Sequence, residues 1–399
     1  MRISSAQIYS LGIKAITERQ SELARTQAEL SSGQRVNKPS DDPAAMARIL
    51  DIKAGMDRID QYSRNSEFAT NSLALEETAL AQVNTDLQRV RELMLQANNS
   101  SNSASDRQSI ANEINQQLQG IKSLANSRDA AGNYIFAGTR SDTVPFSEVN
   151  GTVTYAGDGG SKSLQISAQA SLQIGDSGAD VFLRIRNGDG RVGVTADNTN
   201  TGSAVLGSFS ADSTVTDSYT LQFAAGVNPG EFVYEVRDSG STLVSSGNYT
   251  DGSSIQFAGV SLQISGTPQV GDSFSISPAQ NQSVFATLEN VVSVLESADG
   301  SVANTTAIHN ELARSLADID QAMTHISAKR ASVGSRLSTL ESVESLNQDL
   351  KLHLETVKSQ TSDLDYVAAI SRFNQQLTSL EAAQQAFSRA SQLSLFNYL

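Results

Sequence analysis

The most constraining feature of this sequence is a pair of apolar stripes with heptad spacing, one at each end of the chain. Ile16, Leu23 and Leu30 recur every seven residues near the N-terminus. Near the C-terminus, steps of four and three residues alternate through Tyr366, Ile370, Phe373, Leu377, Leu380, Gln384, Phe387 and Ser391. Both stripes predict coiled-coil helices. Because a helix with one apolar stripe is stable only when that stripe is covered, each end needs a partner, and the nearest candidate is the other end.

A proline-flanked segment separates the first predicted helix from the second. Pro39 breaks the first helix, Asp41 or Asp42 can cap the next one, and Pro43 suits a first helical turn because its missing N–H bonds nothing there. We therefore predict an interdomain linker at these four residues. The second helix should run from Pro43 to about Asn98, following its apolar stripe.

Further helices are predicted on both sides of a non-helical centre. A third helix, capped by Ser105 or Asp106, should pair with the second as an antiparallel hairpin. Helical periodicity resumes near Val284, breaks at Ser297–Gly300 and continues to Leu354, and Thr361–Asp363 could bend or recap the helix before the terminal heptads. The predicted fold class is therefore mainly α with a β insertion: a long antiparallel coiled-coil helix bundle built from both termini, plus an antiparallel β-rich outer domain.

The centre of the chain has the alternating pattern of β-strands. Runs such as Val181–Ile185 and Tyr219–Phe223 are separated by Gly, Asp, Asn and Ser turns, and a short β-prone run lies at Gly132–Gly138. Residues 147–280 hold 13 acidic and 5 basic residues, so −8 of the net charge of −14 lies here. A solvated outer module is the natural interpretation.

The patterns together predict three domains. Residues 1–42 and 361–399 would form a terminal coiled-coil assembly domain. Residues 43–146 and 281–360 would form a long-helix bundle domain, and residues 147–280 a β-rich outer domain.

Composition excludes several classes of function. The net charge of −14 and the pI near 4.7 provide no basic stripe for nucleic acid or an anionic membrane. The absence of Cys excludes disulfide scaffolds and thiol chemistry. No secretory signal and no apolar run long enough for a membrane helix is recognisable in the sequence.

Catalytic patterns are also missing, so we expect a protein that is not an enzyme and needs no cofactor or metal. His309, His325 and His353 all fall on one predicted long helix, where solvated positions are expected. Gly157–Ser163 superficially resembles a phosphate-binding loop, but its Lys does not follow Gly directly, so a hairpin turn is expected. Asn187–Gly190 lacks the acidic spacing of a calcium loop and is expected to be a turn.

The terminal stripes carry the remaining signal. The last 39 residues hold five charged side chains, so a helix there can be packed on several sides by copies of itself. We expect the ends to lack order in the monomer and to become helical in a polymer. The predicted assembly interface comprises Ile8, Leu11, Ile16, Leu23, Leu30, Tyr366, Ile370, Phe373, Leu377, Leu380 and Phe387.

Two segments resemble the flagellin superfamily. Leu30–Asn37 followed by Pro39–Ala45 is similar to its N-terminal signature, and the tail from Asp363–Tyr366 through Gln384–Ala386 is similar to its C-terminal half. The Pro-Ser-Asp-Asp-Pro form and Tyr134–Gly138 are more like the junction subunits of this superfamily than filament flagellin.

The resemblance implies a structural subunit of the bacterial flagellum, located outside the cell at the junction of hook and filament. It also implies type III export without a cleaved signal and self-assembly in a ring or short helical layer. The implied partners are a hook-side hook-associated protein, flagellin and an export chaperone. Three alternatives remain: filament flagellin itself, a secreted adhesin or ligand-binding protein on a helical stalk, and a cytosolic coiled-coil scaffold.

Overall fold

The helices occupy both ends of the chain and flank a β-rich centre. The computed structural model describes residues 5–149, 151–213 and 215–395. Its helices are α1 (Ser5–Ser32), α2 (Pro43–Ala97), α3 (Ala104–Ala125), α4 (Val284–Glu296), α5 (Val302–Ser362) and α6 (Tyr366–Leu395). The mainly α fold with a central β insertion is confirmed.

All strand pairs in the described residues are antiparallel, as predicted. The first seven strands are β1 (Phe146–Val149), β2 (Thr152–Tyr155), β3 (Ser163–Gln165), β4 (Ser171–Gln173), β5 (Ile185–Arg186), β6 (Val192–Ala196) and β7 (Val205–Ala211). The others are β8 (Tyr219–Ala225), β9 (Phe232–Asp238), β10 (Leu243–Asn248), β11 (Ser254–Phe257), β12 (Val260–Ser265), β13 (Ser273–Pro278) and β14 (Asn281–Gln282). They form a five-stranded sheet β10-β9-β8-β13-β6, a three-stranded sheet β11-β12-β7, and the pairs β1-β2, β3-β4 and β5-β14. The two larger sheets share one core, which includes Phe223, Leu262 and Phe274.

The chain divides into two compact units. Unit 1 comprises residues 1–64 and 343–399, and unit 2 comprises residues 65–342. Helices α2 and α5 contribute residues to both units. Within unit 2 they run antiparallel, because Glu77 pairs with Arg330 and Arg91 pairs with Asp320, each at 2.6 Å. Within unit 1, Lys351 Nζ lies 2.6 Å from the Asp60 carboxylate. These units group the chain by internal packing, and the three-part division inferred from the sequence stays a prediction.

The ends of the first helices follow the local chemistry of the sequence. Gly33 ends α1 with a φ of +71°, and its N–H donates to Glu29 O at 2.9 Å. Asp42 Oδ1 accepts from Ala45 N at 2.9 Å, which caps α2 at Pro43. The same backbone N–H of Ala45 lowers the pKa of Asp42. The predicted helix break at Pro39–Pro43 is confirmed.

The cap of α3 was predicted at the wrong residue. Ser103 is the N-cap, and it forms a capping box with Asp106 at the third helical position. Asp106 therefore serves the cap without being the cap residue, and Ser105 lies inside the first turn. The predicted hairpin of α2 and α3 is confirmed by the pair between Arg89 and Glu113 at 2.6 Å.

The strand predicted at Val181–Ile185 was also wrong. Ala179–Leu183 forms a single π-helical turn, and strand β5 begins at Ile185. Val181 and Phe182 are both fully buried, which a strand with one solvated face does not allow for neighbouring residues. Phe182 packs edge to face on Phe136 and on Phe146, with ring centroids 5.3 and 5.5 Å apart. This aromatic cluster overrides the local strand pattern.

Two shorter segments also differ from expectation. The run Gly132–Gly138 forms a single bridge, between Tyr134 and Arg128, and no strand. Residues 156–162 connect β2 to β3, which do not pair with each other, so the segment Gly157–Ser163 is a loop leading into β3 and not a hairpin turn. Asn187–Gly190 connects β5 to β6, and Gly190 N donates to Asn187 O at 3.1 Å, so this turn prediction is confirmed.

Candidate assembly surface

The two ends of the chain pair with each other inside unit 1. Helices α1 and α6 pack along their lengths. Phe387 lies against Tyr9, with ring centroids 4.9 Å apart, and an ion pair joins Arg372 to Glu29 at 3.8 Å. Because the start of α1 meets the end of α6, and the end of α1 meets the start of α6, the pair is antiparallel. Each terminal helix therefore has the partner that its stripe requires. Both ends are helical within a single chain over the described residues, which differs from the expectation that they lack order before assembly.

Helix α6 carries two apolar faces, which we call inner and outer. The inner face is buried or half-buried, and its positions follow the steps four, three, four, three, four: Ala369, Phe373, Gln376, Leu380, Ala383 and Phe387. The outer face consists of Tyr366, Ile370 and Leu377, which are 52%, 49% and 38% exposed. Phe373, Leu380 and Phe387 therefore point toward the neighbouring helix. Ile370 and Leu377 do not, and the half-exposed Tyr366 reaches the end of α1, where its hydroxyl would lie 2.8 Å from a Cβ atom at Gly33.

Helix α1 is divided in the same way. Its buried or half-buried positions are Gly12, Ile16, Leu23, Thr26, Glu29 and Leu30. Leu11 and Ile13 are 58% and 48% exposed, so they belong to an outer face. The side chain of Ile8, which is part of the predicted interface, lies outside the described residues.

Sequence reasoning missed the small residues of the inner faces. Gly12 of α1 and Ala369 and Ala383 of α6 lie in these faces but carry little hydrophobic signal. The usable signal was the position of a glycine within an otherwise helical heptad pattern, because such a glycine often marks close packing. The predicted assembly interface included Ile16, Leu23, Leu30, Phe373, Leu380 and Phe387 together with Leu11, Tyr366, Ile370 and Leu377. In the structure the first six are buried or half-buried and the last four are exposed.

The break between α1 and α2 is hydrogen-bonded to the break between α5 and α6. Leu364 N donates to Gly33 O at 3.0 Å, and Arg35 N donates to Ser362 O at 2.7 Å. The Arg35 guanidinium donates to Thr361 O at 2.8 Å. These bonds join the α1–α2 connection to the α5–α6 connection. The terminal helix pair is therefore held to the rest of the chain through both of its connecting segments.

The predicted linker residues organise this region. Asp41 Oδ2 accepts from Asn37 N at 3.2 Å and from Lys38 N at 3.0 Å, so the carboxylate holds the linker in a turn. Asp42 caps α2, and its carboxylate lies 3.6 Å from Arg35. Pro39 is exposed. The linker is thus an ordered turn held by carboxylates.

Exposed apolar side chains concentrate in unit 1. Unit 1 holds less than a third of the chain but 11 of the 20 exposed large apolar side chains among the described residues. Besides the outer faces, the group includes Leu50 on α2 and Leu346, Leu350 and Leu352 on α5. A concentration of exposed apolar side chains is typical of interaction sites in soluble proteins.

The histidines differ partly from expectation. His353 is exposed, as predicted, but His309 and His325 are half-buried. His309 Nδ1 bonds Asn98 Oδ1, and His325 Nε2 lies 2.7 Å from Asp180 O. Burial, and secondarily the nearby Arg107, lower the pKa of His309. Both histidines therefore hold structure together.

Little in the described residues suggests chemistry on a small molecule. Within the part of the chain that the structure describes, no group of three His, Asp or Glu side chains is arranged to hold a metal. The same residues include no helix long and apolar enough to cross a membrane. A cleft of about 520 Å³ opens beside α4 and α5. Its Asn310 side chain is already bonded to Leu206 N and Ala204 O, so that amide serves the fold.

Comparisons with known proteins agree with this arrangement. Residues 3–141 match the bacterial flagellin N-terminal helical region, and residues 316–399 match the C-terminal helical region. Flagellar hook-associated protein 3 of Escherichia coli strain K12 is 28% identical over 398 residues, which cover 99% of both chains.

Two solved structures are also similar. FlgL of Xanthomonas campestris is 39% identical, with a TM-score of 0.71 over 77% of this chain and 99% of that chain. The flagellar junction protein FlgL of Legionella pneumophila is 34% identical, with a TM-score of 0.68 over 73% of this chain and 98% of that chain.

Proposed function

This chain belongs to the flagellar hook-associated protein 3 (FlgL) family of the flagellin superfamily, and we propose that it joins hook to filament as a thin junction layer. Members of this family are structural components of the flagellum. The observation that carries the junction proposal is the outer apolar face of the terminal helices, which stays exposed after α1 and α6 have paired.

The inner and outer faces of the terminal helices have different roles in assembly. The inner residues build the α1–α6 pair within one chain. The outer residues Leu11, Tyr366, Ile370 and Leu377 then contact neighbouring subunits in a ring or short helical layer. Fully burying one such side chain contributes about 1.5 to 3 kcal/mol, so a few of them per contact offset the entropy lost on association when many copies assemble.

The same face suggests the order of partners. Before assembly it would be covered by an export chaperone, because an exposed apolar stripe promotes aggregation. After type III export without a cleaved signal, a hook-side hook-associated protein would receive one edge of the layer. Flagellin would receive the other edge, with the subunits located outside the cell.

The proposal is tested in cells that lack the gene. We expect hooks without filaments in electron micrographs, with flagellin shed into the medium, and restoration by the unaltered gene. Leu377→Asp should fail to restore filaments although the variant is exported. Ser379→Asp is the matched control, since it places the same charge at an exposed polar position of α6. Normal filaments with Leu377→Asp would contradict the assignment of the outer face.

Two rival functions predict different results. Filament flagellin would grow into long filaments when the purified protein is seeded, and it would be present in thousands of copies per flagellum. An adhesin would need its β-rich region, so motility that survives deletion of residues 147–280 would place the essential function in the helices. Detection on the cell surface would exclude a cytosolic scaffold.

A further inference from the structure

A buried cluster of two carboxyl groups and one guanidinium lies in unit 2, away from the terminal helices. Glu76 of α2 is 2% exposed and Asp176, which follows β4, is 9% exposed. The backbone N–H of Asp176 donates to Glu76 Oε1 at 3.2 Å. Arg336 of α5 bonds Asp176 Oδ2 at 2.6 Å. The assembly role described above uses none of these groups.

The cluster contains more acids than bases. Arg336 and Asp176 are the charged groups that act on Glu76. The adjacent acid, Glu77, is paired with Arg330 of α5 at 2.6 Å, so Arg330 is engaged elsewhere. Beyond Asp176, a small cavity is lined by Lys162 and Asp129. Burial opposes ionisation of Asp129, but hydrogen bonds from Asn133 and Ala131, and lastly the charge of Lys162, lower its pKa.

One oxygen of Glu76 has no partner. Glu76 Oε2 is buried and lacks a hydrogen bond within the described residues, whereas Asp176 Oδ1 accepts from Gln173 Nε2 at 3.0 Å. Burial, reinforced by the carboxylate of Asp176, raises the pKa of Glu76 to about 8. At neutral pH one proton on Glu76 therefore leaves the cluster without net charge.

The cluster lies where the β3–β4 hairpin meets two helices. Ser72 Oγ donates to Ile174 O at 2.9 Å, and Asn65 Nδ2 donates to Gln165 O at 2.7 Å, which ties the hairpin to α2. Arg336 ties the following residue, Asp176, to α5. Glu76 holds the backbone of Asp176 between these attachments.

We propose that Glu76, Asp176 and Arg336 form a proton-dependent latch that closes the β3–β4 hairpin onto α2 and α5 and opens increasingly as the pH rises toward 8. In the closed state Glu76 is neutral and accepts the Asp176 N–H. Loss of its proton leaves two buried carboxylates facing one guanidinium, and the hairpin must open to hydrate the extra charge.

The direction of the pH effect follows from proton linkage. An open hairpin exposes Glu76, whose pKa then returns to its ordinary value of 4.5, whereas the closed value is about 8. Between these two pKa values the closed state binds more protons than the open state. The equilibrium constant for opening therefore increases with pH in this range and levels off above pH 8. One such group gives about a 50-fold rise in opening between pH 6 and pH 8.

Amide hydrogen exchange of the full-length chain tests this latch. After correction for intrinsic exchange, protection of residues 163–176 should fall about 50-fold from pH 6 to pH 8. Amides of β8, in the same unit, serve as the internal reference and should not change in parallel. Glu76→Gln should abolish the pH dependence, because the amide mimics the protonated acid. Glu77→Gln is the matched control and should retain it.

A second variant covers the case in which Glu76→Gln fails to fold. Asp176→Asn removes the neighbouring negative charge, so the fall in protection should move to lower pH. Flat protection in the unaltered chain, an equal loss in β8, an unchanged profile in Asp176→Asn, or loss of the effect in Glu77→Gln would each overturn the proposal.

Discussion

Gly12 of α1 lies directly against the ring of Phe387 of α6: a Cβ atom at Gly12 would lie 2.5 Å from Phe387 Cδ2. No other residue type fits here without displacing the ring. The ring also contacts Tyr9, so Phe387 packs against α1 between a glycine and an aromatic side chain. The end of the pair depends on this close approach.

Gly12→Ala should weaken the terminal helix pair, although the same change stabilises most helices. Alanine is favoured over glycine by about 1 kcal/mol within a helix, but overpacking a contact costs about 1 to 3 kcal/mol. Gly334→Ala on α5 is the control, because nothing lies within 4 Å of a Cβ there, and it should stabilise the chain by about 1 kcal/mol. Hydrogen exchange of the α1 amides measures the pair, and unchanged protection in Gly12→Ala would contradict the contact.

Phe373→Asp and Leu377→Asp should separate the two faces of α6. Phe373 faces inward, so its replacement should release α1 and reduce protection of the α1 amides. Leu377 is 38% exposed, so its replacement should leave that protection intact and prevent assembly alone. The same loss of α1 protection in both variants would show that the faces are not distinct.

Asn310→Ala should destabilise the β-rich region. The buried Asn310 side chain accepts from Leu206 N at 2.6 Å and donates to Ala204 O at 3.1 Å, so α5 completes the hydrogen bonding of this part of β7. Its removal leaves two backbone groups unpaired, at a cost of about 2 to 4 kcal/mol in the free energy of unfolding. Urea denaturation measures this cost. The exposed Asn290→Ala on α4 is the control and should change stability by less than about 0.5 kcal/mol.

His309→Gln should remove part of the acid sensitivity of unit 2. Burial lowers the pKa of His309 below its ordinary value of 6.5. Between pH 6.5 and that lowered value, His309 is protonated in the unfolded chain but not in the folded chain. Stability from this group is therefore present above pH 6.5 and is lost as the pH falls toward the lowered pKa. Denaturation midpoints at pH 7.5 and pH 5.5 measure the loss. His353→Gln, at an exposed position, should leave the difference between the two midpoints unchanged.

The sequence predicted elements whose ends are set by neighbours in the chain. Gly33 ends α1 because glycine tolerates positive φ, and Asp42 with Pro43 starts α2 through a side-chain cap and a residue without an N–H. Strand β8 followed its alternating pattern, because one face is covered and the other is not. These are local effects, so a single sequence contains them.

The sequence could not fix the phase of the α6 stripe. Phe373, Leu380 and Phe387 fit both the predicted stripe and the observed inner face. The choice between Tyr366 and Ala369 as further members depends on which surface α1 presents, and in the structure Ala369 is buried whereas Tyr366 is half-exposed. Residues 181–185 likewise have the sequence pattern of a strand but do not form one, because Phe182 packs in an aromatic cluster with Phe136 and Phe146.

By itself, then, the sequence determined the helices, the β insertion and the need of each terminus for a partner, because periodicity and capping act over a few residues. Only the tertiary structure decided which apolar residues are buried between α1 and α6 and which remain exposed. It alone brought Glu76 into contact with Asp176 and Asp176 into contact with Arg336. Contacts between residues 100 or more positions apart depend on how the elements pack, and no local pattern records that packing.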